Sequence, residues 1–343
     1  MKYGTALLVV VIFGAVLAFA EGENPMTAMS YIWKGSVGSF ASLGSTIRYM
    51  IPCIFLSVSA VVALTSGVNN FGLEGQMYIG SLFAGILGYA LKIPPVIHVA
   101  VCLAGAAIGG AFWAFIPAVL KLLFSVNEMI SSLMLNFVAA LLTEYVTMWW
   151  ILGGSSEGGG AISTPKIETT AEMHKIIKGS SANTGFFIAL IVVLAIFFLY
   201  RYTWPGYELK QVGQNKKFAQ IGGVPILRTF LMIFLLSGLV SGLAGGVEVC
   251  GSYNRFTANY IGNTAWDGIM IAYIANMNPI ACIVVSFFWA ALKAGALVME
   301  RNTSLNKLIV NLLQMVFVLF VSIDYRSVID RITARRKEKA EGV

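Results

Sequence analysis

The nine residues from Asn69 to Met77 read N-N-F-G-L-E-G-Q-M and interrupt a long apolar region. Amide and ionisable groups are costly at membrane depth, so they usually face a protein interior or a water-filled path. Gly72 and Gly75 allow the backbone to break there or to approach another segment closely. A polar break of this kind is typical of a transporter's translocation site. The stretch therefore predicts a membrane transport protein.

The composition sets the fold class. Hydrophobic residues make up 58% of the chain and charged residues 11%, and the mean hydropathy is +0.80. Soluble domains carry about 25% charged residues, so we predict an all-α, polytopic membrane helix bundle. The net charge of +7 is clustered along the chain, which indicates a membrane topology and not a nucleic-acid partner. The four cysteines stand singly in apolar segments and are expected to be buried and free.

Ten segments are candidate membrane spans within a single transmembrane domain, residues 1–343, whose spans occupy about 4–325. They are 4–20, 48–67, 76–92, 95–120, 133–152, 185–201, 229–249, 264–275, 280–298 and 307–324. The basic segment 203–228 and the basic tail 326–343 are predicted to be cytoplasmic, and the long loop 153–183 extracellular. Both termini then lie in the cytoplasm, as an even number of spans requires.

The first segment has a second interpretation. Lys2, the apolar run and Ala18-Phe19-Ala20 resemble a secretory signal with its cleavage site. The run is longer than the roughly 7–15 apolar residues of such signals, and the later spans need Lys2 in the cytoplasm. A retained first helix is therefore favoured.

The sequence offers no catalytic constellation and no metal-ligand spacing. The two histidines, His98 and His174, are far apart, and no nucleophile with a nearby base is recognisable. The glycine-rich start of the loop 153–183 lacks the lysine of a phosphate-binding loop, so it is expected to be a flexible connection with a possible docking role. The chain is therefore expected to bind no cofactor of its own. If transport is driven by ATP, we expect a separate partner subunit to hydrolyse it.

Two further patterns concern helices. Ser125-Val126-Asn127-Glu128 reads as a capping box, with Ser125 as the N-cap of a helix that carries Asn136 and Glu144 on one face. Asn136 has two interpretations of equal weight, a pathway residue and a residue that satisfies a neighbouring backbone. In Leu236–Gly246, small residues recur every four positions and are expected to let helices pack closely: Ser237, Ser241 and Gly245, and Gly238, Gly242 and Gly246.

An internal echo links the two halves of the chain. Glu74-Gly75-Gln76-Met77 recurs as Asp267-Gly268-Ile269-Met270, and the predicted topology gives the preceding spans opposite directions. An inverted repeat with a shared midplane site leaves such a pattern.

The chain resembles the permease subunits of bacterial ABC importers of the ribose and branched-chain amino acid type, and among them the nucleoside branch. The motifs are N-x-F-G-L-E-G-Q-M (69–77), V-N-E-M-I-S-S-L-M-L-N (126–136), V-G-Q-N-x-x-x-A-x-x-G-G-V-P-I-L-R (212–228), L-S-G-L-V-S-G-L-A-G-G-V-E (236–248) and D-G-I-M-I-A…N-P-I (267–280). The second motif is the one most particular to the nucleoside branch. Trp266 stands where the family usually has phenylalanine, and Ile274-Ala275-Asn276-Met277 replaces a leucine-leucine-glycine-arginine stretch.

The resemblance implies a type II importer permease in the cell membrane, which receives nucleoside from an extracytoplasmic binding lipoprotein. Its partners would be an ABC ATPase and a second permease, with a heterodimer favoured over a homodimer, besides membrane lipid. The family's region of coupling to the ATPase falls on the short amphipathic cytoplasmic segment that holds Ala219, Gly222, Gly223 and Arg228.

Five polar residues are the candidates to line or support the substrate route: Asn69, Glu74, Gln76, Asn136 and Asp267. A wet, amide-rich path suits the hydroxyls and base edges of nucleosides, because a tight charged site would slow release. Two alternatives stay open, a sugar ABC permease and a secondary transporter that uses Glu74, Glu248 and Asp267 as ion sites.

Overall fold

A computed structural model describes residues 2–154, 161–177 and 179–322. Thirteen α-helices are found in this part of the chain. They are α1 (Lys2–Ala20), α2 (Pro25–Ser36), α3 (Phe40–Thr65), α4 (Leu73–Ala90), α5 (Pro95–Phe124), α6 (Glu128–Tyr145), α7 (Gly185–Tyr202), α8 (Trp204–Gln214), α9 (Lys216–Ile221), α10 (Ile226–Glu248), α11 (Thr264–Ile274), α12 (Pro279–Asn302) and α13 (Leu308–Ser322). π-Helical turns at Val146–Ile151 and Val249–Tyr253 extend α6 and α10.

Each of the ten predicted segments coincides with one of these helices. In the described part of the chain, six helices are long and apolar enough to cross a membrane, namely α3, α5, α6, α7, α10 and α12, with the π-helical turns included in α6 and α10. A seventh span is added if α1 and α2, which meet at a bend of 114°, count as one. The all-α membrane bundle is confirmed. The number of ten spans stays a prediction, as does the single domain, and the basic tail 326–343 lies outside the described residues.

The helices form two compact units. The first contains α1, α2, α13 and the end of α12 from Gly295 onward. Its core comprises Ala18, Ala28, Ala296, Met299, Leu305 and Val310. Gly295 lets α12 approach the backbone of α2, since a Cβ there would lie 2.5 Å from the Ile32 carbonyl oxygen.

The second unit, Ser36–Ala294, is built around α10. This helix packs against α3, α4 and α5, and the small-residue stripe makes the contacts. A Cβ on Gly80 would lie 2.6 Å from the Gly242 Cα, and one on Gly238 2.6 Å from the Gly110 carbonyl oxygen. Ser237 and Ser241 are fully buried. The predicted packing role of the stripe is confirmed.

The start of α6 corrects one prediction. The helix begins at Glu128, and its N-cap is Asn127, whose side chain accepts hydrogen bonds from the backbone N–H groups of Met129 and Ile130 at 2.9 and 3.5 Å. Ser125 is not the cap, because it ends α5 in a left-handed conformation with φ of 56°. An N-cap residue needs an extended backbone, which Asn127 has.

The loop 161–183, apart from residue 178, lies at one end of the second unit, which we call the loop end. Its backbone bonds Gly88 at the end of α4 and Cys250 after α10, through Glu168 and Met173 at 2.9 and 2.8 Å. These bonds attach the described part of the loop to the ends of α4 and α10, and the expectation of a flexible connection stays a prediction. The glycine-rich residues 155–160 lie outside the described residues.

The opposite end of this unit, which we call the turn end, holds the last residue of α3, the helices α8 and α9, and the turn between α11 and α12. Gly213 of α8 packs directly on the backbone of Thr65 and Ser66, where a Cβ would collide with both. The Tyr200 hydroxyl at the end of α7 donates to the Val62 carbonyl oxygen at 2.9 Å. The chain leaves α3 from this end and enters the break at 69–72.

Candidate functional site

The first helix break is held by a buried amide network. Asn70 donates to the Ser237 hydroxyl of α10 at 2.9 Å, and its carbonyl oxygen accepts from the Gly72 N–H at 3.0 Å. Asn70 and Gln76 also exchange hydrogen bonds at 3.1 and 3.3 Å. Both side chains are buried. The polar groups that marked the break in the sequence therefore satisfy each other and the broken backbone.

Asn136 of α6 bridges the two sides of this break. Its amide nitrogen donates to the Phe71 carbonyl oxygen at 2.8 Å, and its oxygen accepts from the Gly75 N–H at 2.8 Å. Gly75 allows α6 to come this close, because a Cβ there would lie 3.1 Å from the Asn136 Cα. Both atoms of the amide are thus used on backbone groups that the break leaves without helical partners.

The second break lies between α10 and α11. The π-helical turn Val249–Tyr253 ends at Asn254, which has a positive φ of 55°, and α11 begins at Thr264. Asp267 in the first turn of α11 is buried and forms an ion pair with Lys293 of α12. Gly268 packs against Leu56 in the middle of α3, where a Cβ would lie 2.5 Å from the Leu56 Cβ.

The two breaks meet through one aromatic contact. The rings of Phe71 and Trp266 lie 5.9 Å apart between centroids and are tilted by 33°. Phe71 is partly exposed and Trp266 is 38% exposed. On α11 the exposed face continues to Tyr273 at helical spacing, and Glu74 lies partly exposed in the first turn of α4. The junction therefore presents aromatic faces beside a carboxylate.

A second ion pair lies in the same unit. Arg48 of α3 donates to the Glu248 carboxylate at 3.0 Å, and both side chains are largely buried. The Arg48 guanidinium also lies over the rings of Tyr49 and Tyr253, at 4.6 and 5.1 Å from their centroids. With Lys293 and Asp267 this gives two paired positive and two paired negative groups, as buried charges require.

A cluster of tyrosines lies beside this pair. The hydroxyls of Tyr260 and Ser81 are hydrogen-bonded at 2.6 Å, and the Tyr260 ring contacts the Tyr78 and Tyr253 rings edge-on. Desolvation, reinforced by the Glu248 charge, raises the pKa of Tyr260 well above its usual range. Its hydroxyl is therefore neutral and serves as a hydrogen-bonding group that connects the second break to α4.

The five predicted route residues fall into two groups. Asn69 and Glu74 are partly exposed at the first break. Gln76, Asn136 and Asp267 are buried, and each is bonded to another part of the second unit.

Sequence reasoning missed the aromatic partner Phe71 and the cations Arg48 and Lys293. The only signal for the cations was a charge inside an apolar span, which marks a paired group.

The predicted coupling segment forms the short helix α9, which Asn215 caps by accepting from the Phe218 N–H at 3.0 Å. Ala219 is buried within this chain at 2% exposure, whereas Phe218 and Ile221 are 63% and 85% exposed. Gly222, Gly223 and Arg228 are also exposed, and Gly223 has a positive φ of 84°. The exposed side of α9 thus combines these two large apolar side chains, which sequence reasoning missed, with the exposed Lys216, Lys217 and Gln220.

Residues 42–319 match the sequence family described as branched-chain amino acid transport system, permease component. The chain belongs to this family. As a permease component it is a multi-pass cell-membrane subunit of an ABC importer and not an enzyme.

Three relatives are similar over nearly their whole length. The guanosine ABC transporter permease NupP of Bacillus subtilis is 28% identical over 91% of this chain and 90% of its own. The glucose ABC transporter permease TsgB13 of Haloferax volcanii is 27% identical, with 94% and 87% covered. The nucleoside ABC transporter permease NupB of Lactococcus lactis subsp. cremoris is 25% identical, with 92% and 88% covered.

The fold is similar to that of a solved structure, PsaBC from Streptococcus pneumoniae in complex with Fab. The TM-score is 0.50 at 14% identity, with 86% of this chain and 96% of that chain covered. At this identity the likeness concerns the fold alone.

Proposed function

We propose that this chain moves nucleosides along a route that passes the junction of its two helix breaks. The observation that carries the proposal is the partly exposed Phe71–Trp266 pair, placed where the two breaks meet. A nucleobase has a flat apolar face, and stacking on aromatic side chains recognises that face with little regard to base identity. The nucleoside relatives NupP and NupB support the same cargo class.

The polar groups at the junction suit the rest of a nucleoside. The partly exposed Asn69 and Glu74 offer an amide and a carboxylate to ribose hydroxyls and base N–H groups. Gln76, Asn136 and Asp267 act from behind this surface, since each is buried and holds a break in place. Few and weak contacts allow the cargo to leave as readily as it enters.

The two breaks also support an inverted repeat within a bundle of ten spans. The helix that follows each break packs against the helix that precedes the other, because α4 packs on α10 and α11 on α3. The contact between α4 and α10 contains Gly242 of the small-residue stripe, and the contact between α11 and α3 contains Gly268 of the acid-Gly-x-Met echo. With both termini in the cytoplasm, the loop end is extracellular and the turn end cytoplasmic.

The turn end is the part of this chain that would contact an ATPase subunit. Phe218 and Ile221 of α9 would insert into a groove of the ATPase, and Gly222, Gly223 and Arg228 would border the contact. Ala219 packs α9 onto this chain. Movement of α8 would then reach the start of the first break directly, because Gly213 lies on the backbone of Thr65 and Ser66. Such a rigid link suits a switch between inward-facing and outward-facing states.

The complete importer would contain two ATPase domains, a second and different permease, and a binding lipoprotein that docks on the loop end. The cofactor of transport is ATP, bound by the partner. The anchored loop 161–183 gives that lipoprotein a defined surface, since its backbone is bonded to the ends of α4 and α10.

Two other functions have weaker support from the structure. The relative TsgB13 favours a sugar cargo, but a sugar gains less than a nucleobase from the aromatic pair. A secondary transporter needs carboxylates that bind and release ions. Of its three candidates, Glu248 and Asp267 are held by Arg48 and Lys293, which leaves the partly exposed Glu74 alone.

Uptake by the complete importer in proteoliposomes tests the proposed function. When ATP is supplied on the side of the vesicle membrane that corresponds to the cytoplasm, labelled guanosine or uridine should accumulate there. Unlabelled nucleosides should compete with this uptake, and excess glucose should not. Uptake driven by an ion gradient without ATP would contradict the ABC mechanism. ATP-dependent uptake of glucose with no competition by nucleosides would establish the sugar permease instead.

A further inference from the structure

A basic cavity opens at the turn end, between the ends of α3 and α7, α8 and the α11–α12 turn. Its volume is about 220 Å³, several times the roughly 30 Å³ that a water molecule occupies in the liquid. It has therefore room for a phosphate group. The lining residues come from α3, α7, α8 and the α11–α12 turn: Thr65, Phe197, Tyr200, Arg201, Lys210, Met277, Asn278 and Pro279.

The two cations of this cavity lack acidic partners. Among the described residues, neither Arg201 nor Lys210 takes part in an ion pair, although five such pairs exist elsewhere in this part of the chain. The nearest carboxylate in sequence, Glu208, accepts a hydrogen bond from the Trp204 indole at 2.8 Å. The Lys210 ammonium instead lies 5.7 Å from the centre of the Tyr200 ring. The cavity thus has a net positive charge to offer an anion.

The surroundings of the cavity suit a lipid. Tyr202, Trp204 and Tyr207 are 69%, 72% and 51% exposed beside it, and exposed tyrosines and tryptophans are typical of the level of lipid headgroups. From there the exposed apolar face of α7 runs toward the loop end through Phe198 and Ile191. Lipid acyl chains can pack along this apolar face, which ends at the two cations.

We propose that this cavity binds the phosphodiester of an anionic phospholipid, with Arg201 and Lys210 as the phosphate ligands. The predicted topology places the site in the cytoplasmic leaflet, where basic groups between membrane helices attract anionic lipids. The lipid would join the ends of α3 and α7 to the α11–α12 turn, in which Asn276 and Met277 both have positive φ. The proposal rests on the predicted topology but not on the identity of the cargo.

Native mass spectrometry of the purified full chain tests the proposal. After delipidation, the protein is titrated with phosphatidylglycerol, with phosphatidylcholine and with inorganic phosphate. We expect preferential binding of phosphatidylglycerol, reduced about twenty-five-fold in Arg201→Gln/Lys210→Gln, since each cation near a membrane surface contributes roughly fivefold. Lys92→Gln, which removes an exposed cation beyond the end of α4, is the matched control and should bind as wild type.

Three outcomes would overturn the proposal. Equal binding of the two lipids would remove the charge selectivity, and competition by inorganic phosphate at equal concentration would indicate a soluble anion site. Loss of lipid when the ATPase and second permease are added would make the cavity a protein interface. Should the double variant not fold, photoreactive phosphatidylglycerol on the wild-type chain decides, because its adducts must map to 191–210, to Thr65 or to 277–279 and not elsewhere.

Discussion

Replacing Asn136 with alanine should destabilise the protein by about 2–6 kcal/mol. The side chain supplies the hydrogen-bond partners of two backbone groups, the Phe71 carbonyl and the Gly75 N–H, each at 2.8 Å. Asn136 itself is only 7% exposed. A buried polar group that loses its partner costs about 1–3 kcal/mol, and two such groups are left by the substitution.

The free energy of unfolding of the purified chain, measured by reversible denaturant titration in mixed micelles, checks this value. The matched control is Asn302→Ala, since Asn302 is an exposed helical asparagine with one bond to its own helix at 2.7 Å. The control should stay within about 0.5 kcal/mol of wild type. An Asn136→Ala variant as stable as the control would refute the conclusion that this amide holds the first break together.

Three other substitutions have expected outcomes. Gly242→Val should abolish accumulation of folded protein in the membrane, because the new side chain would collide with the Ala106 carbonyl oxygen. The control Gly222→Val should fold, since a Cβ at that position has no neighbour closer than 3.5 Å. Fluorescence-detected size-exclusion chromatography compares the two variants. Glu248→Ala should lower the free energy of unfolding by about 3–5 kcal/mol by leaving Arg48 unpaired, and a double variant with Arg48→Met should recover part of it. Phe218→Asp should prevent copurification with the ATPase while leaving the thermal stability of the isolated chain unchanged, and retained copurification would contradict the proposed contact.

The sequence was sufficient to place ten of the thirteen described helices and the first break, because these depend on local composition, whereas α2 and α8 were not predicted. The apolar runs alone located these ten helices, and the Asn, Gly and Gln residues of 69–77 marked the break between α3 and α4. The packing role of the stripe in α10 could also be predicted from the sequence, because small residues at four-residue spacing in a membrane helix mainly allow close helix packing. These features needed no knowledge of distant partners.

Features that depend on residues far apart in the chain could not be predicted from the sequence. Arg48 and Glu248 are 200 positions apart, so neither indicates the other. Asn136 could be assigned to the backbone of the break only once α6 was placed beside α4. Ala219 and Phe218 are neighbours on a helix of six residues, too short for periodicity to show which side faces the chain. Ser125 had the residue type of an N-cap but not its backbone conformation.

The central claim is that cargo passes the Phe71–Trp266 junction, and the dependence of uptake on cargo concentration tests it most directly. In ATP-loaded proteoliposomes of the complete importer, Trp266→Leu and Phe71→Leu should each raise the concentration of nucleoside needed for half-maximal uptake at least fivefold, since stacking of a base contributes about 1–3 kcal/mol. Trp150→Leu removes an exposed tryptophan of the π-helical turn after α6, outside the Phe71–Trp266 pair, and should leave this concentration unchanged. Wild-type concentration dependence in both junction variants, with normal assembly of the importer, would contradict the account.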